Sequence, residues 1–476
     1  MMKLLAAAIV NFNYFVGIYF GILNAVYTVL FVLSLFEIFR HIRRVKYSGF
    51  AEFNRSPETP PVAVLIPVYN EENVVLRSVC SALASDYPNF EVIVINDGSS
   101  DGTLRRLIEK FRLRRTDRVY RKLLASRDVK GFYYNLETPN LLVVDKERGG
   151  KSDALNCGIN VCRSPYFCSV DADSLLEKDA LIRLMTPLLE SSVPVVASGG
   201  VVRVLNGNRF REDRLIREID LPDNPLALFQ IVEYTRGFLF GRVGWDVLNS
   251  LLILSGTFSL FHKTTVVEAG GFLVGNVSED MEIIVRMHRR MLESGKPYRI
   301  RFVSDPVCWT EVPDRLAMLK RQRRRWHLGL MQSICQNKDM ILRRRYGRIG
   351  MVVIPYYVLF EIMGPIIEIL GYVCVPLSYI LGLLSREFFI LFLVLSIFYG
   401  VFLSTAGIFL EELTYMRYPR WNHFFKLLLY GVLENFGYRQ INSIWRFQAL
   451  LLYLMGKREW EHVLKKGEKN GKGTAA

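Results

Sequence analysis

The chain holds few groups of the kinds that soft-metal sites and covalent catalysis need, and it does not pair them. Its seven cysteines stand at 80, 157, 162, 168, 308, 335 and 374, an odd number with no C-x-x-C among them. That excludes a disulfide framework and a thiolate zinc site, and reads as buried thiols in a reducing compartment. The six histidines show no metal-ligand spacing. No Ser–His or Cys–His pairing argues for a covalent intermediate. No small-residue cleavage pattern follows the apolar N-terminus, so that segment is expected to stay as an anchor and not leave as a signal peptide. A Walker A loop is also missing, because the glycines around Lys151 lack that motif's spacing.

What is present is greasy and basic at once. Hydrophobic residues make up 51% and mean hydropathy is +0.19, yet 22% of residues are charged. A polar domain joined to membrane helices fits that mixture. The net charge of +15 comes from 61 Lys and Arg against 46 Asp and Glu. Basic chains include nucleic-acid binders, but here the arginines flank apolar segments and lack an interleaved aromatic platform. No nucleic-acid partner is expected, and a lipid bilayer is.

Residues 13–39 are almost wholly apolar, with Asn24, Ser34 and Glu37 among the few interruptions, and long enough to span a bilayer with tilt. Arg40, His41, Arg43, Arg44 and Lys46 follow and should hold that end in the cytoplasm. From Pro60 to Val312, short β-branched runs alternate with helical stretches, which predicts a mostly parallel sheet covered on both faces. Residues 112–139 are basic and read as a surface helix and loop. Residues 349–384 are apolar but interrupted by Pro355, Gly364, Pro365, Gly371 and Pro376, so a kinked or broken helix is expected. A clear span follows over 388–410, and 424–454 suits an interfacial helix plus at most one span. The expected order is a transmembrane anchor over 1–45 and a cytoplasmic α/β domain over 46–315. Interfacial helices follow over 316–348, transmembrane and interfacial helices over 349–456, and a basic tail over 457–476.

Five motifs carry chemistry, and each has an ordinary reading beside the functional one. Val170-Asp171-Ala172-Asp173 ends a buried strand with two carboxylates on one side, a seat for Mg²⁺ or Mn²⁺ or simply a polar turn. Pro67-Val68-Tyr69-Asn70-Glu71-Glu72 offers a ring and acids to a base, or a turn with Asn70 as N-cap. Asn96-Asp97-Gly98-Ser99-Ser100-Asp101 lets backbone approach a ligand, or is a common turn. Arg148-Gly149-Gly150-Lys151 opens a helix with a Lys, which favours phosphate. Val277-Ser278-Glu279-Asp280 supplies a general base, or a helix cap. To these the C-terminal side adds Gln322-Arg323-Arg324-Arg325-Trp326, a basic interfacial helix or an Arg and Trp clamp.

In this order the motifs resemble the processive, membrane-bound inverting glycosyltransferases of family 2, relatives of cellulose, chitin, hyaluronan and poly-N-acetylglucosamine synthases. The resemblance runs from about residue 60 to 330. It implies a GT-A-type α/β domain combined with transmembrane and interfacial helices. It implies that Tyr69, Glu71 and Asp97 hold a uridine, with Lys151, Asp171 and Arg325 toward the nucleotide's ribose and phosphates. Asp171 and Asp173 would bind Mg²⁺ or Mn²⁺. Asp280 would be the base, in a slot usually written T-E-D, where Ser278 replaces the Thr. Ser255, Gly256, Thr257, Gln322 and Trp326 would meet the acceptor. The implied reaction polymerises UDP-glucose or UDP-N-acetylglucosamine into a β-linked glycan at a cell membrane, with translocation. Single transfer to a membrane lipid is the alternative. Glu361 and Glu368, seven apart in an apolar stretch, are candidates for a polar path through it or a pair of carboxylates at an interfacial kink, and Glu434 raises the same question.

Overall fold

The computed structural model describes residues 2–47, 59–210, 216–415, 418 and 420–456. The expected tail over 457–476 lies outside the described residues.

Along the chain come β1 (Val62–Val68), β2 (Phe90–Asp97), β3 (Arg114–Thr116), β4 (Val129–Tyr134), β5 (Leu141–Lys146) and β6 (Tyr166–Val170). They are followed by β7 (Ser174–Leu176), β8 (Val195–Val204), β9 (Arg209–Phe210), β10 (Ile216–Glu218), β11 (Phe258–His262) and β12 (Arg299–Thr310). β9 and β10 pair with each other, and the rest form one sheet in the order β3-β4-β5-β2-β1-β6-β11-β8-β12-β7. β5, β2, β1 and β6 are parallel neighbours, as are β8 and β12. β11 lies antiparallel between β6 and β8, so both parallel groups point the same way. β4 and β7 also run against the majority.

The central strands are near-continuous apolar runs because helices cover both faces. β1 is buried except at Pro67, and β5 except at Asp145. The helix Lys151–Val161 seats on the sheet through Gly158, where an added Cβ would lie 3.0 Å from Ile95 and 3.1 Å from Leu65. Register then brings the strand ends to one edge. Val68 pairs with Asn96, Asp97 with Lys146, and Leu65 with Ser169. The turns after β1, β2, β5 and β6 therefore open on the same side, as open α/β sheets require for a ligand site.

Two expectations are corrected. Residues 112–139 hold no helix. Arg114–Thr116 and Val129–Tyr134 pair as antiparallel strands at the sheet edge. The charges that made this segment look like a surface loop belong to an exposed edge strand, where charge discourages further pairing. Asn70 is not a helix cap, since the helix starts at Val75. Asn70 instead adopts a left-handed backbone with φ 54° and its Oδ1 accepts from the Ser100 N–H at 2.9 Å, tying the first two turns together.

The apolar segments form helices. Met2–Tyr47 is one helix, and its stretch Ala6–Arg43 is long and apolar enough to cross a membrane, as is Arg386–Tyr415. Ile349–Ile362 and Gly364–Ile380 are bent by 43° at Met363, and pass the same test together. The bend falls at Gly364-Pro365, where the ring removes a backbone donor. Trp421–Leu433 and Arg439–Leu454 are separated by non-helical backbone at Phe436 and Gly437. The α/β domain docks on the first helix through the segment 225–247. There Ser34 Oγ donates to the Phe240 carbonyl at 2.9 Å, and Arg301 on β12 reaches Glu37 at 3.1 Å.

Candidate active site

Asp171 follows the last residue of β6, and the antiparallel β11 begins beside it, Phe258 facing Val170. The turn Ser255-Gly256-Thr257 is thereby delivered to the same edge. Thr257 Oγ1 donates to Asp171 Oδ2 at 3.1 Å, and Lys151 Nζ lies 2.7 Å from Asp171 Oδ1. Lys151 also reaches Glu279 Oε1 at 2.7 Å. Burial alone would push the Lys151 ammonium down, but these two carboxylates hold its pKa above the usual range. Lys151 is placed at the first turn by Gly150, whose φ of +90° and ψ of 170° turn the chain into the helix.

Asp280 belongs to the same cleft. Its Oδ2 accepts the Gly256 N–H at 3.1 Å. A Cβ added at Gly256 would lie 3.4 Å from both Asp280 Oδ2 and Lys151 Nζ, so this turn packs in contact with both side chains. Ser278 occupies the position before the helix Glu279–Ser294 but does not cap it. Its hydroxyl donates to Asp280 Oδ1 at 2.8 Å. The ordinary cap reading thus gives way to a hydroxyl that fixes a carboxylate.

At the turns after β1 and β5, Arg148 lies over the Tyr69 ring, 4.2 Å from its centroid. Glu71 takes a Thr103 hydroxyl contact at its backbone N–H, at 2.9 Å. Asp97 is 4% exposed and heavily engaged. Lys146 Nζ and the Gly149 N–H donate to Oδ1 at 2.6 and 2.9 Å, and the Gly150 N–H to Oδ2 at 2.7 Å. A carboxylate has about four acceptor positions, so roughly one remains. Asp97 orders the glycine turn as much as it faces a ligand.

The helix Leu316–Gln336 closes the other wall. Trp326 is 40% exposed, with Arg323 over its ring at 4.4 Å and Tyr234 at 6.4 Å. Arg323 is held by Glu233 at 2.7 Å. Gln322 Oε1 and Arg325 Nε are buried without hydrogen-bond partners. Both residues, with Trp326, line the cavity that also contains Lys151, Asp171 and Asp280.

That cavity, about 650 Å³, does not stop at the α/β domain. It continues between the apolar helices, where Glu361, Glu368 and Glu434 reach it. Arg446 donates to Glu361 at 2.9 Å, Arg236 reaches Glu434 at 2.7 Å, and Ser443 donates to Glu368. Glu361 and Glu368 are on opposite sides of the Met363 bend, not on one straight helix, yet open on the same space.

A divalent cation fits the donor set. Asp171 and Asp173 are hard oxygen donors lining the cavity, and no group of three or more metal-binding side chains occurs among the described residues. A cation there would complete its shell with phosphate oxygens and water, as Mg²⁺ commonly does.

Sequence reasoning missed Lys146, Glu279 as a lysine partner, and Arg242. Lys146 ends L-L-V-V-D-K, where a lysine reads as solvent-facing. Glu279 sits in the S-E-D motif and reads as a helix-dipole residue. Arg242 carried a signal, a lone cation inside the apolar run 237–245.

A family model described as Glycosyl transferase family 2 matches residues 63–263, and one described as Glycosyl transferase family group 2 matches 166–410. The chain is 26% identical over 327 residues to a poly-beta-1,6-N-acetyl-D-glucosamine synthase of Staphylococcus aureus, covering 67% of this chain and 65% of that protein. The Staphylococcus epidermidis protein of the same name is 24% identical over 314 residues, 66% and 63%. The chain thus spans just under two thirds of these relatives' length. Among solved structures, a mannosyltransferase from Pyrobaculum calidifontis in complex with GDP-Man and Mn²⁺ has TM-score 0.48 and 18% identity, over 89% of this chain and 99% of that one. Staphylococcus aureus TarS 1-349 in complex with UDP has TM-score 0.36 and 16% identity, over 83% and 92%. The second family model alone spans more than half of the chain, from the strand that leads to Asp171 into the membrane-length helices, and the protein belongs to glycosyl transferase family group 2.

Proposed function

We propose that the protein transfers a hexose from a UDP-sugar to the end of a growing β-linked glycan and passes the product along the cavity between its membrane helices. One observation carries this: the cavity of Asp171 and Asp280 is continuous with that of Glu361, Glu368 and Glu434. A transferase for a single lipid acceptor has no use for a polar passage on the far side of its base. The relatives' printed name supports N-acetylglucosamine over glucose as the sugar.

In this reading the uracil imide N–H takes the acceptor position left on Asp97, and its ring lies by Tyr69, with Glu71 in the same turn. Lys151 and Arg325 meet the diphosphate. Asp171 and Asp173 hold Mg²⁺ or Mn²⁺, which when bound neutralises charge on the leaving diphosphate. Trp326 stacks on the acceptor sugar, with Gln322, Ser255 and Thr257 around it. Asp280, its Oδ1 fixed by Ser278, takes the proton of the attacking hydroxyl. That oxygen bonds to the anomeric carbon as the bond to the UDP oxygen breaks on the opposite face, so an α-linked donor gives a β-linkage. The exposed Arg40 and Arg43 at one end, and Arg343, Arg344, Arg345 and Arg348 at the other, support a cytoplasmic side for the α/β domain.

The test is product analysis. The full chain in nanodiscs is incubated with labelled UDP-N-acetylglucosamine or UDP-glucose and Mg²⁺ or Mn²⁺, and the product is sized on a gel. A polymer is expected, and a lipid carrying one sugar would overturn the reading. Asp280→Asn should cost about 10²- to 10⁴-fold in turnover. Chelation should abolish turnover, and Mn²⁺ should restore it.

A further inference from the structure

Most cations that line the cavity have partners. Lys151, Arg236, Arg323 and Arg446 each meet a carboxylate, at 2.7, 2.7, 2.7 and 2.9 Å. Arg439 donates to Asn435 at 2.9 Å. Arg325 and Arg242 have no hydrogen-bond or ion-pair partner among the described residues, and Arg242 Nη1 is buried. Arg325 is assigned above to the diphosphate. Arg242 has no assignment.

Its setting is specific. The guanidinium lies over Phe238 at 4.3 Å and within 5.8 Å of Phe302, two rings that stack on each other at 5.9 Å. One face is therefore held by aromatics while the donor edge is unused. Arg242 ends the π-helical turn Gly237–Arg242, and such turns recur at functional sites. The groups that influence it are Asp280, Tyr357 and Tyr234. Tyr357 belongs to the first half of the bent membrane helix, and Tyr234 is the ring beside Trp326. Arg242 lines the cavity together with Asp280 and Tyr357, and the Phe238 ring that it covers lies 5.7 Å from that of Tyr234. Burial pushes its pKa down to about 10 against the pull of Asp280, so it stays cationic at neutral pH. Its buried Nη1 meets no acceptor, and the two rings and the pull of Asp280 are what the protein sets against the cost of holding this charge.

We propose that Arg242 positions the acceptor sugar, using its free guanidinium fork to donate to oxygens of the terminal residue while that residue's hydroxyl faces Asp280. Hydroxyl and acetamide oxygens both suit this fork, and the donor used separates them. The inference rests on the transferase reading above. It concerns the acceptor alone, so UDP binding should not depend on Arg242.

The experiment uses Arg242→Met and Arg242→Lys in the full chain in nanodiscs. Labelled UDP-N-acetylglucosamine and UDP-glucose are followed into glycan and into free sugar, UDP binding is titrated, and thermal unfolding is recorded. In Arg242→Met, incorporation into glycan should fall roughly 10- to 100-fold relative to hydrolysis, the worth of one or two charged hydrogen bonds. UDP affinity should be unchanged, and the unfolding midpoint equal or higher, because an unpaired charge has gone. Arg242→Lys should fall between, since a point charge lacks the fork. A loss confined to the N-acetylated sugar assigns the contact to the acetamide; a loss for both assigns it to hydroxyls. The proposal is overturned if UDP affinity falls by the same factor, if the partition between glycan and water is unchanged, or if a lowered midpoint accounts for the loss. If the wild type turns over neither UDP-sugar, the transferase reading itself has failed; if it does and Arg242→Met is indifferent, only this inference has.

Discussion

Lys146 is 0% exposed between Asp97 and Asp153, each 2.6 Å from its Nζ. Burial lowers its pKa, yet the two carboxylates raise it above the ordinary value, so it is a fixed cation at any working pH. Asp153 also accepts the Arg127 N–H. The lysine therefore joins β5, the turn after β2 and the helix that starts at Lys151. Removing it leaves two buried carboxylates without a counter-charge. Lys146→Met should destabilise the protein by about 3–5 kcal/mol, seen as a lower unfolding midpoint in detergent, and weaken UDP binding with it. A variant of wild-type stability would show that the network is not what holds the glycine turn. That Asp97 sits in a turn after a strand was legible, because N-D-G-S-S-D-G follows an apolar run and is made of turn-forming residues. Its partner was not, because a lysine's burial depends on which strand lies beside it.

Elements meet closely at two places where a substitution reads out the packing. A Cβ at Gly329 on the helix Leu316–Gln336 would lie 2.2 Å from the Ser278 Cβ. Gly329→Ala must push that helix, or the Ser278–Asp280 turn, out of place. Misplacement by about 1 Å costs on the order of 10²-fold in rate, so turnover should fall while UDP still binds; unchanged turnover would show that the helix yields freely. The second place is the junction of the first helix, the segment 243–247 and β12. Asp246 is 2% exposed, and Arg301, 3.5 Å away, is shared with Glu37. Burial raises the Asp246 carboxyl to about 7, against roughly 3.9 in an unfolded chain. Between those values the folded state binds more protons, so this group makes stability fall as pH rises from about 4 through about 7. Asp246→Asn should flatten that dependence and raise the midpoint at pH 8; melts of both proteins across pH 5 to 8 would check it. The strands and the D-x-D, S-E-D and Q-x-x-R-W segments were legible because apolar runs and motif spacing are local. The strands Arg114–Thr116 and Val129–Tyr134 were not, because they extend the sheet beyond β5 with charge left outward on the edge strand. The bend at Met363 was legible from Gly364-Pro365, and so was a polar cavity shared by Glu361 and Glu368, but not that the bend falls between the two.

Across the whole molecule, ionisable groups among the apolar helices have partners: Arg446 pairs with Glu361 and Arg236 with Glu434, while Glu368 accepts from the Ser443 hydroxyl. Ionisable residues at such depth are costly and usually face a cavity or a partner; here they have both. The pairs join elements distant in sequence. Arg236 ends a helix of the α/β side, while Glu434 lies at the kink between the last two helices. A path between the apolar helices lined mostly by partnered charges and tyrosines suits a neutral, hydroxyl-rich chain, because little excess charge pins it. Neutralising Glu361 alters this without touching the transfer site: Arg446 keeps the Glu361 carbonyl at 2.6 Å but loses its counter-charge. In Glu361→Gln the first transfers should proceed at the wild-type rate, since Asp171, Lys151 and Asp280 are unchanged. The polymer should be shorter, because each step must carry the chain past an uncompensated guanidinium. Inside-out vesicles given labelled UDP-sugar would report both, the initial rate of UDP release and the size and sidedness of the glycan. An equal fall in initial rate and in length would place Glu361 in the transfer step, and full-length product inside the vesicles would show that the glycan does not pass this pair.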